Sequence, residues 1–221
     1  MNLDWTVVTQ NYSLLAEGLG VTLLVTAVTL VFGGLLGLVV CAARLSSPRV
    51  LASAARGYIS FFRVTPELAL IFWIYFCLPP LFDLRLSAWT SGTLALTCVA
   101  AAYMAEIYRA GIEAIPQGQI EACRALGLRW LPIWLKVLLP QAVRRMMPAF
   151  LNYFTEILKN STLLAGIGVT ELAYQAYTKG AQTYRYLELL SAIAIIFFLI
   201  IFPISMIVRA GEARLARKTG N

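Results

Sequence analysis

Residues 121–140 read EACRALGLRWLPIWLKVLLP, a charged stretch set between long apolar ones. Ile120, Cys123 and Leu126 recur at three-residue steps and share one helical face. Glu121, Arg124 and Leu128 recur by three or four and share another. Gly127 is placed to end this short helix in a left-handed cap. Pro132 is suited to start a second helix, and Pro140 to end it or bend it into the next segment. The spacing therefore predicts two short helices at an angle, outside any apolar layer. A short exposed helix of this kind fits a groove on a partner. Composition alone favours a different reading, an amphipathic loop lying on a lipid surface with Trp130 and Trp134 as anchors.

The flanking sequence is that of a membrane protein. Apolar residues make up 60% of the 221 and charged residues 13%, about half the charged share of soluble domains. A helix needs about 20 mostly apolar residues to cross a bilayer. Five stretches qualify as candidates: 18–43, 64–82, 86–110, 141–170 and 187–209. The last of these and the first carry no charge in their middles, whereas 141–170 carries Glu156 and Lys159. The expected architecture is an all-α membrane protein of five transmembrane helices, one domain over 1–221, with a cytoplasmic loop at 111–140. The N-terminus lacks a basic leader, and its first charges are Asp4 and Glu17, so the first span is expected to persist in the mature chain. Residues 2–17 suit the outer membrane surface, with Trp5 and Tyr12 at headgroup depth.

Charge asymmetry sets the expected orientation. Of the 18 Lys and Arg residues, fourteen fall on one side of such a topology, from Arg44, Arg49, Arg56 and Arg63 to Arg209, Arg214, Arg217 and Lys218. Only Arg85, Lys179 and Arg185 fall on the other. Cytoplasmic loops are enriched in Lys and Arg, so the N-terminus is expected outside and the C-terminus inside. The basic residues are scattered at span ends, which argues against a nucleic-acid surface. Histidine is absent and the four cysteines form no C-x-x-C pair, so neither a metal site nor Ser-His catalysis is expected. The sequence contains no G-x-x-x-x-G-K-[ST] phosphate loop, and no cofactor is assigned to this chain.

Local signals punctuate the chain. Gly33, Gly34 and Gly37 make a smooth face that lets another helix approach closely. Ser46-Ser47-Pro48 is a turn signal in the basic connection 44–63. In Arg63-Val64-Thr65-Pro66, Thr65 is expected to cap a helix whose first residue is Pro66, with Glu67 in its first turn. Within spans, ionisable residues are functional candidates by default. Glu106 lies near the inner end of the third span. Glu156 and Lys159 share one face, where an internal salt bridge and a role in a polar path compete as explanations. Asn160, Ser161 and Thr162 follow, then Gly166 and Gly168, a run that invites a broken helix with free backbone groups.

The stretch 121–140 resembles the cytoplasmic E-A-A-x3-G-x9-I-x-L-P loop of ABC importer permeases. The segments Arg63 to Pro66, Ala102 to Ile112, Leu158 to Leu163 and Glu171-Leu172 resemble elements of the polar amino-acid branch. The likeness runs from about Gly18 to Arg209 and is strongest from Tyr103 to Leu163. Cys123 replaces the second alanine and Val137 the isoleucine, both small changes in volume. The resemblance implies a type I importer permease, a transmembrane subunit with ATP and Mg held on a partner ATPase. It implies that Glu121, Ala122, Arg124, Leu126 and Gly127 dock into that ATPase, the glutamate by polar contacts and the glycine as hinge. It implies a path for a free amino acid past Glu106, Glu156, Lys159, Asn160, Ser161 and Thr162, with Glu171 at the outer mouth. The implied partners are an ATPase dimer, a second permease subunit, identical or paralogous, an extracytoplasmic amino-acid-binding protein, and lipid. The implied location is a bacterial inner membrane. An ion-coupled secondary transporter or channel also explains spans and buried charges, but not the spacing of 121–140.

Overall fold

A computed structural model describes residues 3–46 and 48–218, the last seven of these as helix backbone only. Ser47 of the expected turn, Asn2, and the side chains of Arg214, Arg217 and Lys218 lie outside the described residues. Helix α1 covers Thr6–Gln10, α2 Tyr12–Arg44, α3 Arg49–Val64 and α4 Glu67–Phe82. Helix α5 covers Ala88–Glu113 and α6 Gln117–Ala125. Helix α7 runs over 130–160 and continues into a 3-10 stretch, Ser161–Ile167. Helices α8, Leu172–Thr183, and α9, Tyr186–Lys218, complete the chain.

By length and composition three helices suffice to cross a membrane: α2, α5 and Tyr186–Gly211 of α9. The pair α3 and α4, bent by 104°, makes a fourth when the two are counted as one span. The expected span at 141–170 is not among them; it corresponds to α7, whose Arg144, Arg145, Glu156 and Lys159 lower its apolarity.

The centre of the fold is the seam between α2 and α5. A Cβ placed on Gly33 would lie 2.5 Å from the Cβ of Ala100, and one on Gly37 2.7 Å from the Cβ of Met104. Ala100, Ala101, Met104 and Ala105 are fully buried there. The smooth glycine face read from the sequence is thus the contact that brings these two helices together. The Tyr108 hydroxyl, donating to the Gly34 carbonyl at 3.3 Å, closes the lower part of the seam. Around it, Leu70, Ile71 and Ile74 of α4 pack with Val25, Leu96 and Val99, and with Leu164 and Ile167 of the 3-10 stretch.

Two local expectations are corrected. Thr65 does not cap α4: its hydroxyl donates back to the Phe61 carbonyl at 2.7 Å, and Pro66 is the residue outside a helix that starts at Glu67. Proline forces its predecessor out of the helical region, so Thr65 (ψ 130°) ends α3 and the chain turns there. The basic connection 44–63 holds the amphipathic α3, tied to α5 by Tyr58 donating to the Cys98 carbonyl at 2.8 Å. The second short helix does not stand apart either: of the two roles open to Pro140, ending it or leading it into the next segment, the structure shows the second. A wide π turn at Ile133–Leu138 accommodates the missing N–H, and the helix passes through Pro140 into α7. Only one free-standing short helix, α6, remains in the loop.

Candidate functional site

Helix α6 begins after Pro116, whose carbonyl accepts from the Gln119 N–H at 3.1 Å. It ends as the sequence predicts. Gly127 has φ +72°, its N–H donates to the Arg124 carbonyl at 2.9 Å, and the Leu128 N–H donates to the Cys123 carbonyl at 3.1 Å. These two bonds are a Schellman turn, which satisfies the last carbonyls and reverses the chain. Ile120 and Cys123 pack against Ile115, Ile133, Leu138 and Ala142 at the root of α7. Leu126 does not join that face. As the residue after the last helical turn it swings outward and is 79% exposed. Glu121, Ala122, Arg124 and Gly127 are also exposed. The five residues expected to dock are therefore presented together on the side of α6 away from the protein.

The base of α6 is braced from two sides. The Gln141 amide donates to the Gln119 side chain at 2.8 Å, and Arg145 donates to the Ala114 carbonyl that closes α5. The Arg124 guanidinium lies 5.9 Å from the Trp130 ring, which meets Trp134 edge-on. The tryptophans are thus part of the elbow between α6 and α7.

Directly above stands a charge cluster of which the sequence pointed only to Glu106. Arg44, at the end of α2, approaches Glu106 at 2.7 Å, and Arg109 approaches it at 2.8 Å and also pairs with Glu113. Glu106 is thus a tie between α2 and α5. Its partner Arg44 is 62 residues away, beyond the reach of any helical spacing rule.

At the far end of α7, Glu156 and Lys159 form an ion pair at 2.8 Å, and about half of each side chain is exposed. Ser161 and Thr162 turn their hydroxyls back to the carbonyls of Leu158 and Lys159. The helix tightens from Ser161 to Ile167 and stops at Gly168, with φ +84°. This is the break that the Asn-Ser-Thr and glycine run invited. Lys159, Glu156, Asn160 and Thr162 thus stand on one accessible ledge, with Ser161 buried behind it. Beneath, Tyr153 stacks on Tyr103 with centroids 4.9 Å apart, and the Arg63 guanidinium lies 5.2 Å from the Tyr103 ring. Sequence reasoning singled out neither tyrosine.

Glu171 is not on that ledge. It is fully buried and caps α8, accepting from the N–H groups of Ala173 at 2.9 Å and Tyr174 at 2.7 Å. The Thr22 hydroxyl of α2 donates to it at 3.4 Å and accepts from the Leu172 N–H at 3.2 Å. A carboxylate suits a helix N-terminus, and here it also docks α8 on α2.

A family model described as a binding-protein-dependent transport system inner membrane component matches residues 29–218. The chain is 35% identical to the arginine transport system permease protein ArtQ of Bacillus subtilis, over 97% of this chain and 98% of that one. It is 36% identical to the glutamine transport system permease protein GlnP of Escherichia coli, over 97% and 99%. Among solved structures, an amino acid ABC transporter with histidines superimposes with a TM-score of 0.88 at 34% identity, covering 97% of this chain and all of that one. The MetNI methionine ABC transporter, in an inward-facing conformation, superimposes with a TM-score of 0.70 at 26% identity, covering 91% and 98%.

Proposed function

The chain belongs to the family of binding-protein-dependent transport system inner membrane components, and we infer that it is the transmembrane permease subunit of an ATP-driven importer of polar amino acids. It is a transport subunit of a multi-pass inner-membrane system, and ATP hydrolysis resides in a partner protein. Relatives named as arginine and glutamine permeases support the substrate class.

The finer reading concerns how the chain works. Five segments cross: α2, α4, α5, α7 with its 3-10 extension, and α9. The N-terminus lies outside and the C-terminus inside, the orientation favoured by the placement of fourteen basic residues. The whole chain acts as one permease domain, and 111–140 is its cytoplasmic loop. One such chain is too small to enclose a polar path, since polar groups facing lipid are costly. It therefore pairs with a second permease subunit above two ATPases and receives its solute from an extracytoplasmic binding protein. The half-exposed pair Glu156 and Lys159, with Asn160, Ser161 and Thr162, belongs to the path between the two subunits. There the charged pair meets the carboxylate and ammonium of an amino acid. Glu106 and Glu171 serve that path by holding α2, α5 and α8 in place.

The observation that carries this reading is the continuity of α6 and α7. Glu121, Ala122, Arg124, Leu126 and Gly127 offer a free helix to the ATPase groove, and its capped turn leads within three residues into the helix that ends at the ledge. When ATP closes the two ATPases their grooves move, and α6 carries α7 with it. Moving such an equilibrium from 1:99 to 99:1 needs about 5.5 kcal/mol of differential binding, and α6 transmits that preference without doing chemistry.

The test is co-purification with the ATPase and ATP-driven amino-acid uptake into vesicles, for wild type and Glu121→Arg. The expected result is a wild type that holds the ATPase and imports, and a variant that folds and loses both. Solute flux through the wild type with no ATPase bound, with Glu121→Arg silent, would overturn the reading.

A further inference from the structure

A cavity of about 330 Å³ opens where α3, α5 and α7 meet, immediately above the root of α6. Such a volume is at the small end for ligand sites, which run from about 300 Å³ upward. Arg63, Arg109, Arg145 and Glu106 line it, with the apolar Ile107 and Met146 beside them. Its charge is unbalanced. Arg44 and Arg109 are matched by Glu106 and Glu113. Arg63 and Arg145 have no carboxylate in contact among the described residues: Arg63 lies over the Tyr103 ring and Arg145 donates to the Ala114 carbonyl. Three guanidinium groups thus face one carboxylate around one small, partly enclosed space.

We propose that this cavity binds a phosphate group, carried by an anionic phospholipid of the cytoplasmic leaflet or present as free phosphate. Guanidinium forks match phosphate oxygens two at a time and are more weakly hydrated than ammonium groups, so they hold such an anion where water is partly excluded. Basic pockets between membrane helices on the cytoplasmic side are suited to anionic headgroups, and the apolar wall of Ile107 and Met146 suits the start of an acyl chain. The phosphate would bridge the end of α3 to α7 across α5. Those elements meet at the elbow through which α6 moves, so occupancy stiffens it. The inference rests on the orientation given above.

The test uses the assembled transporter, extracted in neutral detergent and weighed intact by native mass spectrometry to count retained phosphatidylglycerol. Wild type is expected to retain one per permease chain, and so is Arg49→Gln/Arg56→Gln, which removes two exposed charges of α3 outside the cavity. Arg63→Gln/Arg145→Gln is expected to lose it, by about fivefold in affinity per arginine. Ala149→Phe, which fills the cavity mouth without changing charge, is expected to lose it as well. In phosphatidylcholine vesicles, uptake that recovers on adding inorganic phosphate to the lumen, and not phosphatidylglycerol, identifies free phosphate as the occupant. Equal retention by all variants with no effect of phosphate on uptake overturns the proposal, as does equal loss by the α3 control. A wild type that imports nothing in any lipid defeats the importer reading but leaves the lipid count to decide this one.

Discussion

Gly37→Ala is the sharpest test of the α2–α5 seam. The added Cβ would lie 2.7 Å from the Met104 Cβ, 3.1 Å from the Ala101 carbonyl oxygen and 3.2 Å from the Ala105 nitrogen. Two of these three atoms belong to the α5 backbone, and all three residues are fully buried, so no side chain can swing aside. Carbon atoms rest at about 3.5–4.0 Å, so the helices must part by about 1 Å. A gap of that size forfeits about a quarter to a half of each contact along the seam, and overpacking of this kind costs about 1–3 kcal/mol. Replacing glycine by alanine in a helix returns about 0.5–1 kcal/mol. The net expectation is a loss of about 1–2 kcal/mol. Gly33→Ala, facing the Ala100 Cβ at 2.5 Å, strains the same seam, and once the helices have parted for one methyl the second costs less, so the double variant loses less than the sum. The control is Gly20→Ala, where no heavy atom lies within 4 Å and the change should be neutral or stabilising. The assay is unfolding in mixed micelles with increasing dodecyl sulfate, followed by tryptophan fluorescence. If Gly37→Ala is as stable as Gly20→Ala, the close approach of α2 and α5 is wrong.

Gly127→Val forces a β-branched residue to φ +72°, a conformation that costs about 1–2 kcal/mol for ordinary L-residues; the chain should still insert but lose ATPase in pull-down, while Gly127→Asn, which tolerates that conformation, keeps most of it. Glu171→Ala removes both cap bonds and leaves the Thr22 hydroxyl with one partner fewer. The expected loss is about 1–2 kcal/mol, seen as a lower melting temperature, with Glu171→Gln milder because it keeps an acceptor; unchanged melting for Glu171→Ala would refute the cap. Glu106→Ala leaves Arg44 and Arg109 facing each other at about a quarter exposure. The loss should be about 1–3 kcal/mol, below the figure for a fully buried pair, and a cycle with Arg44→Gln should show positive coupling, whereas strictly additive effects would mean that the pair contributes nothing.

The elements legible in the sequence are those whose causes are local. The Gly127 cap follows from one residue without a Cβ at the end of one short helix, the end of the broken helix at Gly168 from the same cause, and the smooth face of α2 from three glycines spaced along it. The long apolar helices follow from composition alone. Thr65 departs from its local reading, and Pro140 takes the second of its two, because each has two locally acceptable states. A threonine hydroxyl serves the helix behind it as readily as the one ahead, and a proline is tolerated in a helix once a wider turn makes room. For Leu126 the three-residue pattern held until the helix ended, one residue too early for it to reach the packed face.

By itself, then, the sequence determined an apolar, all-helical chain with a capped, exposed helix between its spans, because period, composition and turn chemistry act within a few residues. Only the tertiary structure decided what its carboxylates are for. Glu106 is held by Arg44 from another helix, and Glu171 caps α8 while bound to Thr22 of α2. Glu156 has its partner one turn away and remains half exposed on the ledge. A carboxylate's role depends on which cation, hydroxyl or backbone N–H stands within about 3 Å of it, and that is set by packing between helices far apart in the chain.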